Sequence, residues 1–399
     1  VRTLDELKAQ GRRILIRVDY NVPLDQGNVR DDRRIQASLP TLRELLAGGG
    51  TLVLMSHLGR PKGFDPKQSL APIAPRLAEL LGQEVHFIGG SPELTPASPT
   101  TLKQVEALPQ GAVALLENVR FEPGEEQNDP ELAARYAKLG EAFVLDAFGS
   151  AHRAHASVTG VAQYLPSYAG RLLEQEVQAL SRLLEGAERP YWVILGGAKV
   201  SDKIQLIRNL LPRIDGMIVG GAMAFTFLKA QGAEIGASRF EPDQLELAKS
   251  LLVEAQARQV RLLLPSDVVI AQRLEAQTPT QIVEARAIPE GWMGVDVGPE
   301  SLLAFQEALQ GAKTVFWNGP MGVYEIPEFA QGTRRLAEAL AQLKTFTVIG
   351  GGDSAAAVEE LGLSQVFSHI STGGGASLEY LERGSLPGLE ALASSPHAP

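Results

Sequence analysis

Short apolar runs alternate with longer amphipathic stretches along nearly the whole chain. In the first half the runs are Ile14–Val18, Leu52–Met55, Val85–Ile88, Val113–Leu116 and Phe143–Leu145. Helix-length segments, such as 35–46 and 72–81, lie between several of them. Continuous apolar runs with helical connections predict a parallel sheet buried on both faces. The second half repeats the alternation, with runs at Tyr191–Leu195, Met217–Val219, Arg261–Leu264, Thr314–Trp317, Phe346–Ile349 and His369–Ser371. Between the halves, Leu173, Val177, Leu180 and Leu184 recur at 4-3-4 spacing, which predicts an amphipathic helix over 171–185. Gly186 and Pro190 then break it. The expected fold class is α/β: two Rossmann-like three-layer α/β/α domains with parallel sheets, joined by a bridge helix and hinge. The expected divisions are 1–170, a joining segment 171–190, 191–380, and a tail 381–399 that packs back near the N-terminal domain.

In open parallel sheets the ligand crevice lies beyond the carboxyl ends of the strands. The two halves end their strands differently. The first half runs into RVDYNVP, with Asp19 and Asn21; SHLGRP, with His57 and Arg60; ENVRF, with Arg120; and DAFGSAHRAH, with Arg153. Arg33 or Arg34, before a helix, is placed to join them. Each has a plainer reading: an Asx turn for Asp19 and Asn21, a satisfied buried imidazole for His57, a solvated helix start for either arginine. Together they converge on one sheet edge. The second half ends its strands in glycine: GGAKVSDK with Gly197, Lys199 and Lys203; GGAMAF with Gly220 and Gly221; NGPMGVYE with Asn318; GGGDS with Gly351 and Gly352; TGGGAS with Gly374. Glycine permits close approach of backbone N–H groups to oxyanions, or merely a tight turn. Lys199 and Lys203, four apart, would share a face if that segment were helical. Asp353, beside Ser354, reads as a helix N-cap, a Mg²⁺ ligand or both. The contrast predicts two unlike anion sites, one of side chains for a small multiply charged ligand and one mainly of backbone for a nucleotide.

Composition narrows the classes. The chain has 399 residues, 44% of them hydrophobic, 21% charged, and a net charge of −10. Nucleic acid and anionic membranes are therefore poor partners, and any phosphate site must gather its cations locally. There is no cysteine, which removes disulfides, thiolate metal sites and a cysteine nucleophile. No apolar run reaches 18 residues and the N-terminus lacks a signal-peptide core, so a cytoplasmic location is expected. Neither GxxxxGK[ST] nor GxGxxG occurs.

Taken in order, RVDYNVP, SHLGRP, LLENVRF, DAFGSAHRAHAS, ILGGAKVSDKI, WNGPMGVYE, GGGDS and STGGGASLEYLE resemble phosphoglycerate kinase. The resemblance spans residues 14–389. It implies reversible, Mg²⁺-dependent phosphoryl transfer between 1,3-bisphosphoglycerate with ADP and 3-phosphoglycerate with ATP in glycolysis, by a hinge-bending, cytoplasmic monomer. It implies that Asp19, Asn21, Arg34, His57, Arg60, Arg120 and Arg153 bind 3-phosphoglycerate. The Arg-before-Ile pattern selects Arg34 over Arg33. It further implies a nucleotide site of Gly197, Lys199, Lys203, Gly220, Gly221, Gly294, Asn318, Glu325, Gly351, Gly352, Asp353 and Ser354, with Asp353 on Mg²⁺. Arg34, Lys199, Gly351 and Gly374 take the catalytic roles. Two departures from the family pattern are Ser150 for threonine and Ala222 for a third glycine; the second bears on nucleotide preference. Residues alone leave two other classes open: a two-domain protein that clamps an anionic metabolite, and a kinase acting on a different phosphorylated acid.

Overall fold

Two six-stranded parallel sheets carry the molecule, each flanked by helices. The computed structural model describes residues 1–398. The chain divides into two compact units. One runs from Val1 to Gln178 and takes in the segment from Ser385 onward; the other is Ala179–Gly384. The division falls inside the segment 171–190 expected to join the domains.

The first unit contains β1 (Arg13–Val18), α1 (Arg33–Ala47), β2 (Thr51–Met55), α2 (Ile73–Leu81), β3 (Val85–Ile88), α3 (Pro99–Glu106), β4 (Val113–Leu116), α4 (Pro130–Ala137), β5 (Ala142–Asp146) and β6 (Ser167–Ala169). Its sheet order is β3-β4-β2-β1-β5-β6. Ile14, Leu15, Ile16 and Val18 of β1 are fully buried, as are Val113–Leu116 of β4, so the unbroken apolar runs reflect burial on both faces. The chain leaves β1 toward β2 on one side, and β5 returns on the other. The switch point therefore lies between β1 and β5, where a crevice opens beyond the strand ends.

The joining helix α5 spans Arg171–Leu184. Its buried residues are Leu173, Glu176, Ala179, Leu180 and Leu183, while Val177 and Leu184 are half-buried. Leu173 and Leu180 are buried as expected, while Glu176 and Leu183 take the places expected of Val177 and Leu184. Asp146, at the end of β5, accepts from Leu172 N (3.0 Å) and Leu173 N (3.2 Å) and caps the first turn. A Cβ on Gly170 would lie 2.2 Å from that carboxylate.

The second unit holds β7 (Tyr191–Leu195), α6 (Ile204–Leu210), β8 (Gly216–Val219), α7 (Met223–Ala230), α8 (Leu245–Ala257), β9 (Arg261–Leu263), β10 (Asp267–Ala271), β11 (Thr280–Glu284), β12 (Met293–Val297), α9 (Pro299–Leu309), β13 (Thr314–Asn318), α10 (Gln331–Gln342), β14 (Phe346–Gly350), α11 (Gly352–Glu360), β15 (His369–Ile370) and α12 (Gly375–Arg383). The parallel sheet runs β9-β8-β7-β13-β14-β15, with its switch point between β7 and β13. A separate antiparallel sheet, β11-β10-β12, follows β9. The alternation did not predict it, since β11 is largely exposed and polar. A last helix, α13 (Pro387–Ala393), belongs to the first unit. There Gly388 N donates to Ala151 O (2.8 Å), and the Arg2 guanidinium donates to Ser395 O (2.9 Å).

Candidate functional site

The loops after β1, β2, β4 and β5 build one cluster in the first unit. The Asx turn is present: Asn21 N donates to Asp19 Oδ1 (3.1 Å). It does not exhaust these residues. Arg34, on the first turn of α1, donates to both Asp19 oxygens (3.2 and 3.3 Å) and to Asn21 O (2.9 Å). Arg33 turns away to an exposed pair with Asp31. Asn21 Oδ1 accepts from Gly59 N (3.0 Å), which ties the loop bearing His57 and Arg60 to the one bearing Asp19. Arg120 donates to Gly59 O (2.8 Å) and lies 3.4 Å from Glu126. Arg60 and Arg153 are exposed beside Arg120 and oppose its charge. All seven expected residues of this set therefore gather at one edge.

Three residues that hold the cluster were not singled out from the sequence. Glu117 is fully buried and accepts from Ser69 Oγ (2.8 Å), Leu70 N (2.9 Å), Gly90 N (3.0 Å) and Asn118 N (3.1 Å). Asn118 in turn donates to Leu58 O (2.7 Å) and Gln68 O (2.9 Å), fixing the SHLGRP loop. Arg17, within β1, is 1% exposed; it donates to Ser157 Oγ (2.9 Å) and faces His57 Nδ1 at 2.9 Å. A π-turn over Ala156–Gly160 delivers Ser157, whose N and Oγ donate to Glu125 (3.0 and 2.7 Å). A charged residue inside an apolar run, RILIRV, was the available signal for Arg17. Burial pushes the Glu125 carboxyl up against the opposing pull of Arg17. Burial also holds His57 far below the usual imidazole range, with Arg17 and Arg120 adding to it. His155 is pushed down to about 4 by burial and then by Arg120. The imidazoles are therefore neutral at pH 7, and the positive charge of the cluster comes from arginine.

Replacing Glu117 by glutamine sets an NH₂ group against inward-pointing N–H donors. A buried donor left without an acceptor costs on the order of 3 kcal/mol. For a unit of this size a melting temperature lower by roughly 6–12 °C is expected, read by calorimetry.

In the second unit, Lys203 Nζ bonds Asn318 Oδ1, so the end of β13 meets the loop after β7 across the switch point. Burial pushes the Lys203 ammonium down to about 8, against smaller opposing effects of Asp202 and Glu382. Residues 199–203 are not helical. Residues 201–203 form a turn, and α6 begins only at Ile204 with Lys203 at its N-cap position. The expected shared helical face of Lys199 and Lys203 is thus absent; Lys199 stands exposed in the irregular stretch before the turn.

The glycine runs divide into two kinds. Gly197 N donates to Pro320 O (3.1 Å), Gly220 N to Leu195 O (2.8 Å) and Gly221 N to Met321 O (3.1 Å). A Cβ on Gly196 would lie 2.0 Å from Pro320 O. These glycines let three strand-end loops pack backbone to backbone, and those N–H groups are spent. The run before α11 differs. Gly351, at φ +89°, is the N-cap, and the first-turn N–H groups of Gly352, Asp353 and Ser354 have no acceptor within the helix. Asp353 is therefore a first-turn residue, not the cap. The Ser354 hydroxyl is buried and accepts from Gly319 N (2.8 Å), so its hydroxyl ties loops while its backbone faces the helix end. Gly374, at φ +51°, caps α12.

A cavity of about 510 Å³ opens beside these loops. Of the residues expected at a nucleotide site, Gly197, Gly221, Gly294, Glu325 and Asp353 line it; Lys199, Lys203, Gly220, Asn318, Gly351, Gly352, Ser354 and Gly374 do not. Its apolar wall includes Ala222, Phe225, Val268 and Val323, with Arg239 among its polar residues. Gly294 passes so close to Phe225 that a Cβ would meet the ring at 2.0 Å. Such a slot, apolar with a polar rim and an open helix N-terminus, suits a planar base with a phosphate chain. Burial, then the neighbouring Glu325, raises the Asp353 carboxyl, which a cation would relieve. Among the described residues no group of three or more His, Cys, Asp or Glu is placed to hold a metal ion. One carboxylate with ligand phosphates and water suits Mg²⁺, which keeps much of its hydration. No helix among them is long and apolar enough to cross a membrane.

Comparison with known proteins bears on this geometry. The family model described as "Phosphoglycerate kinase" matches residues 4–384. The phosphoglycerate kinase of Thermus thermophilus is 62% identical over 393 residues, covering 98% of this chain and all of the relative. That of Deinococcus radiodurans is 56% identical over 396 residues, covering 98% and 95%. Among solved structures, phosphoglycerate kinase from Coxiella burnetii aligns with a TM-score of 0.90 at 40% identity over 98% of both chains.

Proposed function

The chain belongs to the phosphoglycerate kinase family, and from that premise we propose that it moves a phosphoryl group between 1,3-bisphosphoglycerate and ADP, and back from ATP to 3-phosphoglycerate, in glycolysis. The observation that carries the reading is the unlike construction of the two switch points. One gathers Arg34, Arg120 and neutral histidines; the other gathers Lys203, Asn318 and the open first turn of α11.

Asp19, Asn21, Arg34, His57, Arg60, Arg120 and Arg153 take the acid and its phosphate. Several arginines converging on one loop cluster hold a trianion by paired donors. Lys203, Asn318 and the N–H groups of Gly351, Gly352, Asp353 and Ser354 take the nucleotide phosphates; Gly294 and the apolar wall take the base, and Glu325 the ribose hydroxyls. Asp353 would hold Mg²⁺, which when bound spreads the charge of the phosphate chain.

The acceptor oxygen is a carboxylate and already charged. No general base and no covalent enzyme intermediate is required. The protein's work is to align donor and acceptor and to neutralise the three equatorial oxygens of the group in flight. Arg34 and Lys199 supply full charges, and the loops at Gly351 and Gly374 supply N–H groups. Because acid and nucleotide are assigned to different units, transfer calls for a hinge closure within 171–190 that also keeps water from the acyl phosphate. X-ray scattering is expected to report a more compact particle only with both substrates bound; equal dimensions in every state would reject closure. A cytoplasmic monomer is part of the proposal, and equilibrium sedimentation checks the monomer.

The direct test mixes the protein with Mg·ATP and 3-phosphoglycerate and traps acyl phosphate with hydroxylamine. Hydroxamate formation is the expected result. None with this acid, but product with another phosphorylated acid, would reassign the substrate; none at all would reject the reading.

A further inference from the structure

We propose that Arg17 is a positioning residue: it holds His57 as the tautomer with its proton on Nε2, so that the ring offers a fixed N–H donor to the acid substrate. The inference rests on the reading that His57 binds that acid.

The geometry leaves one arrangement. A guanidinium carries donors and no acceptor. Arg17 Nη2 lies 2.9 Å from His57 Nδ1, so Nδ1 must be the acceptor and the ring proton must sit on Nε2. Protonating Nδ1 would set two N–H groups against each other. Arg17 cannot swing aside to relieve this. Its Nε donates to Ser157 Oγ (2.9 Å), its Nη1 donates to Val18 O, and its backbone lies in the middle of the sheet. Ser157 is itself anchored on Glu125 through both its N and its Oγ. Glu125, Ser157, Arg17 and His57 thus form one buried chain running from a carboxylate to the imidazole.

The charged and titratable groups that face the ring are Arg17 on β1, Arg120 after β4, and Arg153 and His155 after β5. Each acts against a second proton on His57. The ring therefore stays neutral and keeps the same donor direction over the pH range in which free imidazole titrates. Substrate binding gains a constant donor in place of a charge that would come and go near pH 6.5.

The test uses the full chain labelled with ¹⁵N-histidine, with the His57 signal assigned by its loss in His57→Gln. The wild-type ring is expected to show a pyrrole-type Nε2 and an unprotonated Nδ1 from pH 5.5 to 8. An Nδ1–H tautomer, or an imidazolium that titrates in this range, overturns the proposal without touching the substrate reading. Addition of 3-phosphoglycerate is expected to shift the Nε2 signal; an unchanged signal would remove His57 from the binding site and the reading with it. In Arg17→Met, which has no donor, the ring is expected to mix tautomers and to titrate. The KM for 3-phosphoglycerate should rise about tenfold and become pH-dependent, with kcat and nucleotide KM within about twofold. Arg17→Lys should restore part of the pH independence. A Met variant whose His57 keeps the wild-type spectrum would also overturn the proposal, and if that variant fails to fold, the wild-type spectrum still decides.

Discussion

Arg34→Ala is expected to lower kcat by on the order of 10²-fold or more, with nucleotide KM changed only modestly. The side chain is about half exposed at the edge of the acid cluster, where Asp19 and Asn21 O hold it in place. That restraint is weak enough to be exchanged for a substrate, since an exposed ion pair is worth about 0–1 kcal/mol. It is also specific enough to aim the guanidinium before substrate arrives. A full charge set beside a group whose charge spreads during transfer acts mainly on the transition state. Loss of such a donor therefore appears in kcat. Arg33→Ala is the internal control. Arg33 pairs with Asp31 in solvent, and its removal should leave kcat within about twofold. Steady-state rates in both directions measure the pair. Equal losses in the two variants would take the role from Arg34.

Lys203→Met should raise nucleotide KM by roughly 10–100-fold, the worth of a hydrogen bond to a charged group. Its signature lies in the pH dependence. In the free protein burial brings the ammonium down to about 8, so part of the population is neutral at that pH. A bound phosphate chain favours the charged form and raises this value. The complex then binds more protons than the free protein above pH 8. Nucleotide affinity should therefore be full below pH 8 and fall as pH rises past it, by up to tenfold per pH unit. The stability of the free protein runs the other way. The unfolded lysine titrates near 10.4, so between pH 8 and that value the unfolded state holds more protons. The contribution of this residue to folding stability thus increases with pH in that window. The methionine variant should lose both slopes. Nucleotide titrations from pH 7 to 9.5, paired with denaturant melts, measure them. A wild-type affinity that is flat across this window would move the phosphate contact elsewhere.

Much of the site was legible because its chemistry follows strand ends. Asp19 and His57 come within two residues of an apolar run, Arg120 and Arg153 lie four and eight residues beyond one, and a parallel sheet sends such loops to one edge. The choice between Arg33 and Arg34 was not legible from helical phase. It depends on where the Asp19 carboxylate stands, and that is set by packing. Glycine was legible as a residue but not as a role. Gly197, Gly220 and Gly221 bind neighbouring loops, whereas Gly351 opens a helix end, and nothing local separates GGA from GGGD. The buried face of α5 departs from its apolar spacing for a related reason. Periodicity ranks residues by polarity, and Glu176 is buried despite its charge.

By itself, then, the order of apolar runs and polar strand ends determined the α/β class, the two-unit plan and the chemical contrast between arginine-rich and glycine-rich edges. These are properties of consecutive residues, and the alternation of strand and helix transmits them to the fold without further information. Tertiary structure alone decided which N–H groups remain open, that residues 199–203 are not helical, and that Arg17 and Glu117 stand behind the loops. Those outcomes rest on contacts between segments far apart in sequence, where burial makes a single acceptor, such as His57 Nδ1 or the Glu117 carboxylate, select one arrangement over all others.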